Sequence, residues 1–504
     1  MYLTDFTAFS RDMCTQLFKS GMTISCAFLA LVTLFAHGQG EMEDALQEIV
    51  NGGLPSSEEN SGDAEAISDG FSLDDYSLEV DEEDAGGFNT GQAIGLPSLT
   101  LNTDVFGYHE ASHEADDFYW RGDLEIRFEG LLGSGFSYVV APQFRWDSGD
   151  DTAERFEFRE NGQRRPVVTF KEAKVSWGSE RFEVTLGKEI FNWGVADSYS
   201  PVDNINPWDY LDVPTSERIG VPAISVYHFH DLFEIQGVWQ PWFSPSRLPL
   251  PGFDNRWLGN FQSTLGDFVA PDSFQFSGVN LPNDSLDQSQ FGLRISSSSL
   301  LDGWDLGLIY NYGHQSTGVF RGDVTPGGVV ASLHYPRYFE VGASFSTVLG
   351  EWQIHGEGAY HATLDEQMDD DYIEYVIGVN RVFSDLPIPG VEETRLILEY
   401  AGEEITREIS EGSPFFGSRQ FSRPFEDAVV GSLNFKISED TDIELSGSYD
   451  FADQGWMFEA SLNHKFSANC KVTAGTHFFE GPEDSFLGKW NNNDRSFIAL
   501  TLTY

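Results

Sequence analysis

Hydrophobic and polar residues alternate one by one along most of the chain beyond residue 96. In Leu124-Glu125-Ile126-Arg127-Phe128-Glu129 every even position is apolar and every odd one is charged. Trp304, Leu306, Leu308, Tyr310 and Tyr312 share one face of a second segment, opposite Asp305, Gly307 and Asn311. Ile443, Leu445, Gly447 and Tyr449 oppose Glu444, Ser446 and Ser448 in a third. In a fourth, Trp456, Phe458, Ala460 and Leu462 oppose Met457, Glu459, Ser461 and Asn463. A period of two predicts β-strands, because successive side chains leave a strand on opposite sides. Each strand then has one apolar, aromatic face and one face of ions and small polar groups.

The pattern predicts eighteen strands. They lie near 98–108, 121–130, 135–146, 168–177, 181–189, 222–230, 233–241, 289–297 and 303–313. The series continues near 337–348, 351–361, 372–383, 394–404, 427–437, 441–450, 456–466, 470–480 and 497–504. The connections alternate in length. Turns such as 131–134, 178–180, 231–232, 298–303, 349–350, 437–441 and 466–470 are short, and 383–393 is the one longer member of that set. The others are mostly long, among them 147–167, 190–221, 242–288, 314–336, 405–426 and 481–496, and they hold most of the Pro and Trp. A soluble sandwich has no reason to alternate in this way. A membrane barrel has one, with turns on the periplasmic side, loops outside and an even strand count. The expected fold class is all-β: a transmembrane antiparallel up-and-down β-barrel of about eighteen strands, sixteen being the alternative, with long extracellular loops.

The last segment, Arg495 to Tyr504, sharpens this expectation. Ile498, Leu500, Leu502 and Tyr504 fall on one face, and the sequence ends on the aromatic. Such an ending resembles the C-terminal signal of bacterial outer-membrane barrels that the barrel-assembly machinery reads. Physically, a last strand must close the ring against the first while showing lipid its apolar side.

The amino terminus reads differently. Lys19, the apolar run Ile24 to Phe35 and then Ala36-His37-Gly38 have the form of a secretory signal, so 1–38 is expected to be a signal peptide. Residues 39–95 are expected to be a disordered acidic spacer in the periplasm. Sixteen Asp and Glu and no Lys or Arg occur between Glu41 and Asp84, and such a stretch repels itself. Residues 96–504 are then the barrel. The whole chain has 504 residues and a formal net charge of −52, which argues against nucleic-acid binding. Of Cys14, Cys26 and Cys470, only Cys470 remains after the signal, so no disulfide framework is expected. Beyond residue 36 no run approaches the ~18 apolar residues of a spanning helix.

One run carries a family resemblance: Leu186-Gly187-Lys188-Glu189, Asn192-Trp193-Gly194, Asp197, Pro201, Asp203-Asn204 and Asn206-Pro207-Trp208-Asp209. It continues through Arg218, Gly220 and Pro222 to Pro241-Trp242-Phe243-Ser244-Pro245-Ser246-Arg247. The run resembles a large, poorly characterised group of porin-like outer-membrane proteins of Gram-negative bacteria. Those carry a Gly-Arg-Gln…Trp-Gly…Asn-Pro-x-Asp loop and a Pro-x-x-x-Pro-Ser-Arg loop. The resemblance covers roughly residues 120 to 260, and Lys188-Glu189 stands where Arg-Gln is usual. It implies a barrel and an envelope location, and it implies no substrate.

If the apolar faces meet lipid, the opposite faces line a lumen. The charges placed there are Glu125, Arg127, Glu129, Glu172, Lys174, Glu183, Arg294, Glu357, Arg395, Glu399, Lys436, Glu444 and Glu459, eight acids and five bases. Ions inside a barrel require water or pairing. An acidic majority favours cations or neutral solutes, unless the ions serve only as cross-strand struts. Loops 190–221 and 242–288 are candidates for a constriction or plug, through Trp193, Asp197, Asp203, Trp208, Asp209, Arg218, Trp242 and Arg247. The alternative is that they cap the barrel from outside, with Asn206-Pro207 as turn chemistry.

The function expected is passive diffusion of small solutes, with weak cation preference. The rivals are a non-conducting scaffold or adhesion barrel and an exporter of polymer or hydrophobic cargo. No enzyme activity, catalytic residue, cofactor or metal is expected, since no nucleophile elbow, His-Glu-x-x-His or phosphate loop occurs. His228 and His230 share a strand face without a third ligand at a recognisable spacing. Asp369-Asp370-Asp371 and Glu403-Glu404 read as solvated loop charge. The expected partners are outer-membrane lipid and lipopolysaccharide, the assembly machinery and small solutes. The oligomeric state is not legible.

Overall fold

The computed structural model describes residues 97–110, 117–149, 151–251, 257, 274–326, 328–384, 386–416, 423–483 and 485–504. The signal and acidic-spacer expectations, 1–38 and 39–95, lie outside the described residues.

Eighteen strands form the staves of one closed ring. The first nine are β1 (Ser98–Tyr108), β2 (Phe118–Gly133), β3 (Phe136–Asp147), β4 (Arg165–Gly178), β5 (Phe182–Glu189), β6 (Val221–His230), β7 (Phe233–Gln240), β8 (Gln290–Leu301) and β9 (Trp304–His314). The rest are β10 (Arg337–Leu349), β11 (Trp352–Thr363), β12 (Asp371–Phe383), β13 (Glu393–Arg407), β14 (Asp427–Ser438), β15 (Thr441–Asp450), β16 (Trp456–Ser467), β17 (Cys470–Glu480) and β18 (Arg495–Thr503). Each stave pairs antiparallel with the next, and β18 closes on β1 with Thr100 opposite Thr503 and Phe106 opposite Phe497. All eighteen periodic segments are therefore strands, and the alternative count of sixteen is set aside.

Register follows from the two-faced pattern, since a slip of one residue would turn every charge outward. On β10 Tyr338, Glu340, Gly342 and Ser344 are buried, while Val341 and Ala343 between them are exposed. On β12, Ile373, Tyr375 and Ile377 are exposed and alternate with buried Tyr372, Glu374, Val376 and Gly378. The exposed set around the ring is Leu, Ile, Val and aromatic, including Phe128, Leu308, Leu398 and Ile498. A closed ring with an apolar outer face satisfies its backbone internally and presents lipid-compatible side chains, which is what a bilayer demands.

Several staves carry glycine directly opposite an aromatic. Trp146 lies across Gly122, Phe345 across Gly356, Tyr375 across Gly402 and Phe497 across Gly475. A Cβ on any of the four would meet the ring at 2.6–2.7 Å. The ring covers backbone that glycine leaves bare, so the pair packs as one unit.

The long connections are not featureless. Phe274–Asn280, Val319–Thr325, Gly328–His334 and Phe415–Phe416 form a separate four-stranded sheet from three connections expected to be loops. Its core joins Phe320, Leu333 and Tyr335 to Phe243, Leu248 and Leu250. Asp369-Asp370-Asp371 and Glu403 also differ from expectation. They are buried, with Arg423 holding Asp370 at 3.0 Å and Glu403 at 3.2 Å and Arg407 holding Asp371 at 2.6 Å. Paired in this way, Asp370, Asp371 and Glu403 are structural ions and not solvated loop charge.

Candidate functional site

Residues 190–220 leave β5 and run through the inside of the ring. Near the end of β5, Gly187, at φ +147°, must be glycine, because a Cβ there would stand 2.1 Å from the Ala173 carbonyl oxygen. Asn206 staples the two ends of the connection. Its Oδ1 accepts the Phe191 N–H at 2.7 Å and its Nδ2 donates to the Ile219 carbonyl at 2.8 Å. The turn reading of Asn206-Pro207 thus understates a side chain that closes the whole loop.

The first half of the loop is held by apolar packing. Trp193 is 1% exposed and clusters with Phe191, Val202, Ile205, Val221, Val238, Ile309 and Ala359. Its indole N–H donates to Gln236 on β7 at 2.7 Å. The wall makes room by omitting side chains. A Cβ at Gly292 would strike Ile205 and Trp193, and one at Gly342 would strike Val202.

Beyond that point the wall offers a row of carboxylates. Glu357 on β11 accepts the Val195 N–H at 2.8 Å. Glu399 on β13 accepts the N–H groups of Asp197 and Ser198 at 2.7 and 2.9 Å. Glu374 on β12 accepts the Tyr199 hydroxyl at 2.5 Å, and Glu340 on β10 accepts from Asn204 at 2.9 Å. Bonds from N–H groups to ionised carboxylates are stronger than neutral ones, especially where water is absent. Two histidines of β11 stand among these acids. His355 lies 2.7 Å from Glu399, and His361 lies 3.6 Å from Glu340 and 3.3 Å from Glu374.

The returning half is held by ion pairs. Arg218 pairs with Asp203 and stacks over the Trp208 ring, 4.6 Å from its centroid. Asp209 receives Arg165 at 2.9 and 3.0 Å and Arg247 at 2.8 Å. Arg247 reaches on to Glu160 at 2.8 Å, where Arg145 and Lys188 also converge. The three cations around Glu160 hold its carboxyl near a pKa of about 2, and the same cause keeps Asp209 well below the usual carboxylate range. Lys188 thus has Glu160 as its direct counter-ion. Further on, Asp212 joins Arg121 of β2 at 2.5 Å and Arg495 of β18 at 2.8 Å.

Of the loop residues named from sequence, Trp193 and Asp197 meet the wall, while Asp203, Trp208, Asp209, Arg218 and Arg247 meet one another; Trp242 is the exception. Trp242 is 38% exposed and lies 5.4 Å beneath the Arg159 guanidinium.

The thirteen wall charges divide into groups. Glu357 and Glu399 hold the loop. Arg127 bridges Glu129 and Glu172 at 2.8 and 2.9 Å, Lys174 reaches Glu172 at 2.7 Å, and Lys171 reaches Glu125 at 3.4 Å. Glu459 lies 3.2 Å from His477, and Glu183 accepts from Thr185 at 3.4 Å. Arg294 faces Gln236 in register, Arg395 faces Asn434, and Lys436 faces Asp442. Glu444 is half-buried on β15, paired in register with Ser461 of β16. Glu340, Glu374, His355, His361, Glu160, Arg145 and Asp212 were missed. The first four share the strand face that the alternation marks as inward, and that was the available signal.

Burial differs between the two sides of the ring. Inward residues of β10–β13 are mostly buried under the loop. On β14 and β15, inward Asn434, Lys436, Asp442, Glu444 and Ser446 are all partly exposed. Asn102, Glu125 and Arg127 are likewise partly exposed.

Residues 169–380 match a family described as a protein of unknown function, DUF1302. No curated protein matches the chain. Among solved structures the chain is similar to Pseudomonas aeruginosa OccD3 (OpdP), at 11% identity and TM-score 0.44, over 82% of this chain and 93% of that one. It is also similar to a mutant of the Rh. blastica porin, at 12% identity and TM-score 0.37, over 81% of this chain and 99% of that one.

Proposed function

We propose that the chain is a porin-like channel of the Gram-negative outer membrane, narrowed by its own inward loop and passing small solutes. The observation that carries this reading is the uneven lining. The loop covers the β7–β13 wall, while inward Asn434, Lys436, Asp442, Glu444 and Ser446 of β14 and β15, and Asn102, Glu125 and Arg127 of β1 and β2, keep solvent exposure. Polar side chains at the inner face of an eighteen-strand ring, left exposed, describe a wet path. Its carboxylates Glu125, Glu129, Glu444 and Glu459 favour cations over anions. The outward row Ile498, Leu500, Leu502 and Tyr504 serves as the assembly signal.

The test is conductance of the purified chain in planar bilayers. Steady open events, with a reversal potential biased toward the cation in a salt gradient, support the reading. Silence favours a loop-sealed scaffold, for which the dense loop anchorage is the supporting observation.

A further inference from the structure

We propose that Asp197, His355 and Glu399 form a divalent-cation site that fastens the loop to the wall. The three residues are 8%, 0% and 2% exposed, and one ligand atom from each lies within 4.8 Å of the others. The arrangement is set by register. His355 of β11, Gly378 of β12 and Glu399 of β13 are consecutive cross-strand partners at one level of the ring. Gly378 is the residue that leaves the space. A Cβ there would stand 2.4 Å from His355 Nε2 and 2.7 Å from Glu399 Cγ. The wall thus presents a nitrogen and a carboxylate on either side of a bare backbone position, and Asp197 of the loop closes over it, with its Oδ2 3.7 Å from His355 Nε2.

Two further features point to a ligand. Asn380, two residues along β12 on the same face, donates Nδ2 to Asp197 Oδ2 at 2.7 Å, while its Oδ1 is buried with no partner. An amide turned over would offer that oxygen as a fourth ligand. The charge balance also asks for a cation. Two buried carboxylates face one imidazole, with Arg395 a further cation acting on Asp197. With metal–ligand bonds of about 2.0–2.2 Å, neighbouring ligand atoms lie roughly 3–3.5 Å apart, so His355 and Glu399, now 2.7 Å apart, must part slightly, while Asp197 already lies 3.7 Å from His355. One imidazole with carboxylate and amide oxygens suits zinc or a similar first-row divalent ion. The ion takes the place of the hydrogen that now joins His355 to Glu399.

The experiment uses the full chain folded in detergent, stripped with chelator and titrated with Zn²⁺ by equilibrium dialysis. Co²⁺ absorption then serves as the report of imidazole ligation. The expected result is one equivalent bound by the wild type. D197N and H355Q should weaken it by tenfold or more, and so should G378A, which leaves all three ligand residues in the sequence but puts a methyl group into the gap between His355 and Glu399. H228Q is the control for a histidine away from the loop and should bind as the wild type does. Heat-modified gel migration shows that each variant has folded. No stoichiometric Zn²⁺ in the wild type, or binding that survives both H355Q and G378A, overturns the site and leaves a hydrogen-bonded latch. Neither outcome depends on whether the barrel conducts.

Discussion

Trp193 and Lys188 show what single side chains contribute. Trp193→Ala removes a buried indole and its bond to Gln236. The expected cost is about 3–5 kcal/mol in reversible urea unfolding from lipid vesicles, together with noisier and larger conductance as the loop loosens. Lys188→Met takes one of three cations from Glu160 and is expected to cost about 3 kcal/mol, read in the same assay. The acids of the loops give a pH dependence with a definite sign. The Glu160 carboxyl is held at about 2, below its ordinary 4.5, so its contribution is complete above about 4.5 and is lost as pH falls toward about 2. Asp494 behaves oppositely. Burial raises it to about 7, so the fold favours its protonated form, and that contribution fades as pH rises from about 4 through about 7. Asp494→Asn keeps the bond from the Phe479 N–H. It should flatten the thermal midpoint against pH across that upper window, while Glu160→Gln should flatten it across the acid one.

At the level of elements, the alternation of faces was enough to place every stave, because register and lipid contact both depend on local pattern. The loop interior was less legible. Trp193, Asp197 and Asp209 stood out by residue type and spacing, but their partners lie on staves far along the chain. Glu374, for example, meets Tyr199 across 175 positions. No local rule reports such a pairing. The small sheet built from Phe274–Asn280, Val319–Thr325, Gly328–His334 and Phe415–Phe416 was missed for the same reason, since its strands come from three separate connections. Replacing residues 195–204 with a short Gly-Ser linker should leave the ring intact, because its ladder does not use them. The expected outcome is a barrel with unchanged heat-modified migration and a larger single-channel conductance.

For the whole molecule, the decisive property is the uneven lining. Glu125→Gln combined with Glu444→Gln removes two carboxylates from the exposed side and none from the loop anchorage. The reversal potential in a KCl gradient should move toward the non-selective value. Unchanged selectivity would mean that ions travel elsewhere or that the charges act only as struts.

The bond between Asp212 and Arg495 spans 283 positions and ties the loop to the final stave. This carries an implication for timing. The inward loop is synthesised well before β18 but has no complete berth until β18 has sealed the ring. A nascent barrel should therefore pass through a stage that is wider and leakier than the finished one, and the cell would need to keep that stage brief.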